Sequence, residues 1–253
     1  MKKGVKAIAL ILGAVFLISA GFIIANLTPE KKDFDDYKNN PAESSKPSLI
    51  SRPEYPMNQI DFKKLKAENE DIIGWIEIPD TVIDYPILYS DTDKDGKDYY
   101  IDRDMYKKKK SAGSIFVQTV NFSNFSDRNT IIYGHNMLNG TMFGTLKKYR
   151  DRKYFDEHDE IRVYIPGRML TYKVYSAFVY TDKHLFSDFD FGNDKGYQEF
   201  IDMTYNPKSS VKHINKDVKV TTEDRIITLS TCTTKDEERY LVVAVLQDEV
   251  YTQ

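Results

Sequence analysis

One cysteine in 253 residues, Cys232, has no second cysteine to pair with, so an internal disulfide framework is excluded. Paired-cysteine zinc sites are excluded with it, and the four histidines, His135, His158, His184 and His213, are dispersed without the ligand spacing that tetrahedral zinc needs. Glycine forms no phosphate-cradling run. Positive charge is also short: 36 Lys and Arg stand against 39 Asp and Glu, a formal net charge of -3. Nucleic acid as partner needs a concentrated basic surface, and this composition does not supply one. The short basic run at 107–110 reads as a solvated turn. Residues 91–96, Asp-Thr-Asp-Lys-Asp-Gly, resemble the opening of a calcium loop. However, Asp98 stands where an apolar residue is usual and Asp102 where a bidentate Glu would close the loop, so a polar connection is the better reading. No metal and no cofactor is called for.

Charge is missing altogether from residues 7–25, a 19-residue apolar stretch long enough to span a bilayer as a helix. It is too long for an ordinary signal-peptide core, and its small residues lie inside the run, which predicts a retained anchor. Lys2, Lys3 and Lys6 precede it, and the positive-inside rule would hold them in the cytoplasm with the rest of the chain outside. The expected localisation is therefore the cell membrane, single-pass, with residues 1–27 as cytoplasmic tip and anchor. Residues 28–56 hold five of the nine prolines and little apolar periodicity, and read as an extracellular linker. The folded unit is expected over 57–253.

Within that unit an amphipathic helix is predicted over 58–69 with Phe62 and Leu65 inward, followed by an alternating strand at 74–79. Further strands are predicted at 82–88, 113–118, 130–133, 161–165, 170–180, 218–220, 225–230 and 240–247. Helices are predicted at 141–149 and 194–205, the second stopped by Asn206-Pro207. Many short strands without regular strand-helix alternation disfavour a doubly wound sheet. They predict a mostly β fold, a closed or nearly closed barrel with helices as decoration.

Cys232 ends the apolar run Ile226-Ile-Thr-Leu-Ser-Thr-Cys232, seven residues before Arg239, which precedes a second run. Outside a cell the lone thiol is either a buried bystander or kept free for chemistry. A free thiol is mostly protonated at neutral pH, so a nucleophilic role needs a base or a cation beside it. His135 is the candidate base, because it ends a predicted strand between Gly134 and Asn136, whereas His158 sits in a charged segment and His184 and His213 in polar connections. A histidine after a strand is ordinarily a surface or core residue, and that alternative stays open. Arg239 is a permanent cation able to stabilise a thiolate or an oxyanion, with a salt bridge to Asp236, Glu237 or Glu238 as the plainer alternative. Ser230 and Thr231 share the strand with Cys232, and alternation assigns Thr231 to packing or a subsite.

At these residues the chain resembles the sortases, and within them class B. Thr228-Leu-Ser-Thr-Cys232 with Arg239 before the next strand is similar to the family's active-site strand, and Ile131-Ile-Tyr-Gly-His135-Asn-Met to its histidine segment. The resemblance covers about 57–248 and implies a closed eight-stranded β-barrel with an N-terminal helix and a helical insert between the sixth and seventh strands. It implies a cysteine transpeptidase with Cys232 as nucleophile, His135 as proton donor to the leaving amine and Arg239 orienting substrate. The implied partners are secreted proteins bearing a C-terminal sorting signal, a peptidoglycan precursor with a free amine or, alternatively, a pilin lysine, and the bacterial membrane through the N-terminal helix. Gln118 stands where an acidic residue is common in the family. Expected groove walls are the 90–104 connection, the 120–129 loop and the 182–215 insert. The rival readings are a pilin-polymerising enzyme, a cysteine peptidase, and a membrane-anchored surface-binding module whose cysteine is structural.

Overall fold

The computed structural model describes residues 34–39, 56–92, 97–235 and 237–253. Nine strands form one sheet: β1 (Ile72–Glu77), β2 (Asp84–Ser90), β3 (Ile115–Gln118), β4 (Asn129–Tyr133), β5 (Glu160–Ile165), β6 (Arg168–Thr181), β7 (Lys212–Ile214), β8 (Ile226–Cys232) and β9 (Glu238–Tyr251). The order is β5-β1-β2-β3-β4-β8-β9-β6-β7, and an additional β5–β6 pairing closes the eight longer-range strands into a barrel. Closure removes the unpaired edges that an open sheet would expose. The fourteen-residue β6 serves both purposes: its first half pairs with β5 at the closure, and Ser176–Phe178 carry the short β7.

Two pairings are parallel, β2–β3 and β4–β8. Neither can come from a hairpin, since parallel neighbours need a crossover. The β4–β8 pair sets Tyr133 beside Ser230, and the antiparallel β8–β9 pair sets Cys232 opposite Arg239.

Alternation then sorts the side chains. Ile227 and Leu229 of β8 and Tyr240, Val242 and Ala244 of β9 fill the barrel interior. Ile226 of β8 and Leu241, Val243 and Val245 of β9 face outward, where the insert covers them. Within that insert the helix Asp194–Tyr205 is capped by Asn193, whose side chain accepts from Gly196 N, and buries Tyr197, Phe200, Ile201 and Thr204. Burial of each large apolar side chain is worth about 1.5–3 kcal/mol, so this layer holds the insert on the barrel wall.

Several sequence expectations shift. The first helix is Phe62–Glu68, shorter than 58–69, because Asp61 caps it and Asn58 is spent bonding Ile165 O at 2.9 Å. The 218–220 strand is absent and β7 replaces it. Val218 and Val220 instead pack as loop residues against the insert cluster. Residues 141–149 are not an α-helix: Gly144–Arg150 is a 3-10 helix followed by an α-helix over Arg152–Glu157. The expected spacer also contains a docked piece. Phe34 meets Trp75 edge-on at 5.3 Å, Tyr37 is buried, and Lys38 bridges to Ile60. Two aromatics outweigh the surrounding proline-rich composition.

The expected localisation needs correction. The span at 7–25 lies outside the described residues, and among the described residues no helix is long and apolar enough to cross a membrane. The twelve-residue helix Asp194–Tyr205 covers about 18 Å, well short of a hydrocarbon core. The single-pass membrane localisation is therefore withdrawn.

Candidate active site

Cys232, His135 and Arg239 line one cavity of about 270 Å³ on the outer face of the barrel. The floor is made by outward residues of four strands, Phe116 and Gln118 of β3, Ile131 and Tyr133 of β4, Ser230 and Cys232 of β8, and Arg239 and Leu241 of β9. Residues 182–185, at the start of the insert, form one wall, and Asp98 and Ile101 form part of the other. The 120–129 loop, expected as a wall, contributes no lining residue. It turns inward instead: Phe125 enters the barrel core, and Asn121 bonds Asn129 O and Ile131 N.

The strand positions of Cys232 and Arg239 follow from register. They are paired residues of β8 and β9, each half-buried, on the same face by alternation. Arg239 donates from Nη1 to the Glu238 carbonyl at 3.1 Å, while the Glu238 carboxylate is bound by Lys235 at 2.9 Å.

His135 reaches the same cavity because β4 runs parallel to β8 and continues one step past it. Gly134 N donates to Ser230 O at 3.2 Å, and Thr231 Oγ1 donates to Gly134 O at 2.7 Å. Thr231, buried and bonded in this way, ties the cysteine strand to the histidine segment at the border of the cavity. Gly134 has no room for a side chain: a Cβ there would lie 2.4 Å from Ile115 Cδ1 and 2.8 Å from the Phe143 ring. Beyond it, Phe143 N donates to His135 O at 3.0 Å, and Asn136 bridges to Met142, so the loop returns on itself and fixes the His135 backbone.

The imidazole is oriented by a single bond, His135 Nε2 to Ile101 O at 2.7 Å. A carbonyl only accepts, so Nε2 carries a proton and Nδ1 is the nitrogen left to exchange one. Tyr133 beside it stacks on Phe116 with centroids 5.5 Å apart. Burial, with Asp98 nearby, raises the Tyr133 phenol against the opposing pull of Arg239, so the hydroxyl stays protonated.

Three cavity residues carry no motif. His184, expected in a polar connection, presents Nε2 to Gln118 Oε1 at 2.6 Å and lies 3.3 Å from Tyr133 OH. Gln118 in turn bonds both oxygens of Asp98 at 3.0 Å. An acidic side chain at 118 would face Asp98 directly, which accounts for glutamine there. The one local hint at His184 is the apolar pair Leu185-Phe186 that follows it and opens the packed insert. His158 and His213 stay outside the cavity, His158 stacked on Tyr154 and His213 bonded to Arg150 O.

Residues 76–247 match the Sortase domain family. The chain is similar to Sortase B of Staphylococcus aureus, 31% identical over 247 residues, spanning 96% of this chain and 97% of that protein. It is similar also to Sortase B of Listeria monocytogenes, 37% identical over 180 residues, covering 71% of this chain and 70% of that one. Among solved structures, the Staphylococcus aureus sortase B-substrate complex superposes with a TM-score of 0.66 at 34% identity, covering 76% of this chain and 87% of that chain.

Proposed function

The chain belongs to the sortase family, in its class B, and is a cysteine transpeptidase; on that premise we propose that Cys232, His135 and Arg239 carry the reaction. The observation that supports these roles most is their convergence on one cavity, with Thr231 fastening the histidine segment to the cysteine strand. The unit that carries the chemistry is 57–253, with the segment around Phe34 and Tyr37 strapped to it. The donor is a protein with a C-terminal sorting signal, and the acceptor is an amine of a cell-wall precursor.

The reaction needs the sulfur as thiolate, with its proton held at His135 Nδ1, since Nε2–H is engaged by Ile101 O. Cys232 Sγ attacks the scissile carbonyl carbon, and the carbonyl electron pair moves to oxygen. Arg239, across the strand pair from the sulfur, donates to that oxyanion. Collapse breaks the C–N bond, and the Nδ1 proton goes to the departing amine, leaving a thioester on Cys232. The acceptor amine then adds to the thioester, passes its proton to Nδ1, and expels the thiolate. The outward face of the barrel leaves the cavity open beside the insert, giving both substrates access to the sulfur.

Intact-mass analysis after incubation with a donor peptide in which Thr precedes Gly or Asn tests the assignment. An acyl adduct is expected on the native chain and none on Cys232→Ala, with added amine discharging the adduct to a joined product. An adduct on Cys232→Ala removes Cys232 as nucleophile. Hydrolysis indifferent to added amine favours the peptidase reading.

A further inference from the structure

We propose that Asp98, Gln118 and His184 form a latch that fastens the start of the insert to the cavity floor and so sets the groove in which the donor peptide lies. This rests on the assignment of the Cys232 cavity as the donor site. The three residues come from separate parts of the chain: Asp98 from the connection after β2, Gln118 from the last position of β3, and His184 from the N-cap of Leu185–Asp188.

The bonds run in one consistent sense. A carboxylate only accepts, so the Gln118 amide nitrogen must face Asp98, whose Oδ1 and Oδ2 lie 3.0 Å from it. The amide oxygen therefore faces His184 at 2.6 Å, and His184 Nε2 must carry the proton. Thr92 Oγ1 donates to Asp98 Oδ1 at 3.2 Å, steadying the carboxylate. Burial holds His184 below the usual histidine range against the opposing pull of Asp98, which keeps the ring neutral at neutral pH. Every donor in the chain from Thr92 to His184 thus meets an acceptor. Tyr133, 3.3 Å from the same Nε2, links the latch to the floor beside His135.

Position makes the latch matter. The body of the insert is held by apolar contacts of Leu185, Phe200 and Ile201 over Leu241 and Val243, which are strong but carry little directional information. The polar tie lies where the insert meets the groove, and hydrogen-bond geometry fixes that edge to within tenths of an ångström. His184 and Gln118 are positioning residues in this scheme: they hold a wall and touch no reacting atom.

A charge swap tests it. Gln118→Glu sets a carboxylate against Asp98, and Asp98→Asn in the same chain restores a donor to that carboxylate, whose other oxygen still accepts from His184 Nε2–H. With acceptor amine fixed and donor peptide varied, Gln118→Glu should raise the donor KM about tenfold, the size of one lost charge-assisted hydrogen bond, with kcat changed far less. The double variant Asp98→Asn/Gln118→Glu should recover most of that loss. Alkylation of Cys232 by iodoacetamide should stay at the native rate in the double variant, which keeps the native net charge of the cavity. An unchanged KM in Gln118→Glu, or no recovery in the double variant, overturns the latch. His184→Phe, which keeps the ring and removes the donor, gives a second route: a native KM there overturns the proposal too. Failure of the nucleophile assignment is distinguishable, since the native chain would then form no acyl adduct.

Discussion

Replacing Gly134 with alanine adds one methyl group at the point where the two halves of the candidate site meet. The new Cβ would lie 2.4 Å from Ile115 Cδ1 and 2.8 and 2.9 Å from Phe143 Cδ2 and Cγ. Carbon atoms settle at about 3.5–4.0 Å, so roughly 1 Å of movement is required. Ile115 and Phe143 are both fully buried, and the Phe143 Cγ contact is at the root of its ring, so neither swings away freely. Overpacking of this kind costs about 1–3 kcal/mol. For a domain of this size that lowers Tm by about 2–4 °C per kcal/mol. Part of the movement falls on the backbone between Tyr133 and His135, where Thr231 Oγ1 and Ser230 O hold Gly134. A displacement of about 1 Å of a reacting group costs on the order of a hundredfold in rate. The assay pairs thermal melting with single-turnover acylation by a donor peptide. The expected result is a melting point lower by several degrees and acylation slowed on the order of a hundredfold. A lowered melting point with native acylation would refute the positioning role of Gly134, because the overlap would have been absorbed by Ile115 and Phe143 alone.

Arg239→Lys keeps the charge but loses the planar donor fork, and single-turnover acylation should fall by about 3 kcal/mol, or on the order of a hundredfold; acylation at the native rate would discard the oxyanion role. His135→Ala should slow acylation by an amide donor, and a donor with a thiol leaving group, which departs without a proton, should recover much of the rate; equal defects with both donors would remove His135 from the leaving-group step. Glu249 accepts from both Arg225 and Arg168 at the far end of the barrel. Burial alone would raise its carboxyl, but the two guanidinium groups hold it below the usual range. A depressed carboxyl contributes stability above its unfolded pKa and loses it as pH falls through the folded value. Glu249→Gln should therefore cost about 2 kcal/mol at neutral pH and less in acid, read from urea melts across pH 3–7; a stability loss independent of pH would sink this account.

The local signals in the sequence reached far for a mostly β chain. Alternation around Cys232 already placed Ser230 and Cys232 on one face and Thr231 on the other, and the six residues between Cys232 and Arg239 leave room for little besides a turn between antiparallel strands. The helix Asp194–Tyr205 was marked by its apolar spacing and by Asn206-Pro207. The docking of Phe34 and Tyr37 was hidden because composition averages over a window, whereas two aromatics need only a matching surface around Trp75 and Ile60. The strand at 212–214 was missed because its three residues are polar or half-exposed and owe their extended form to the pairing with β6.

By itself the sequence determined which positions alternate, where the longer strands and the long insert helix run, and that one thiol sits at a strand end seven residues before an arginine. What only the tertiary structure decided is who stands beside whom. The parallel β4–β8 pairing carries His135 to Cys232 across nearly a hundred residues, and the insert folds His184 onto Gln118 and Asp98. Periodicity names the face a side chain occupies, but neighbours across a barrel are chosen by sheet closure and register, which depend on all eight strands together.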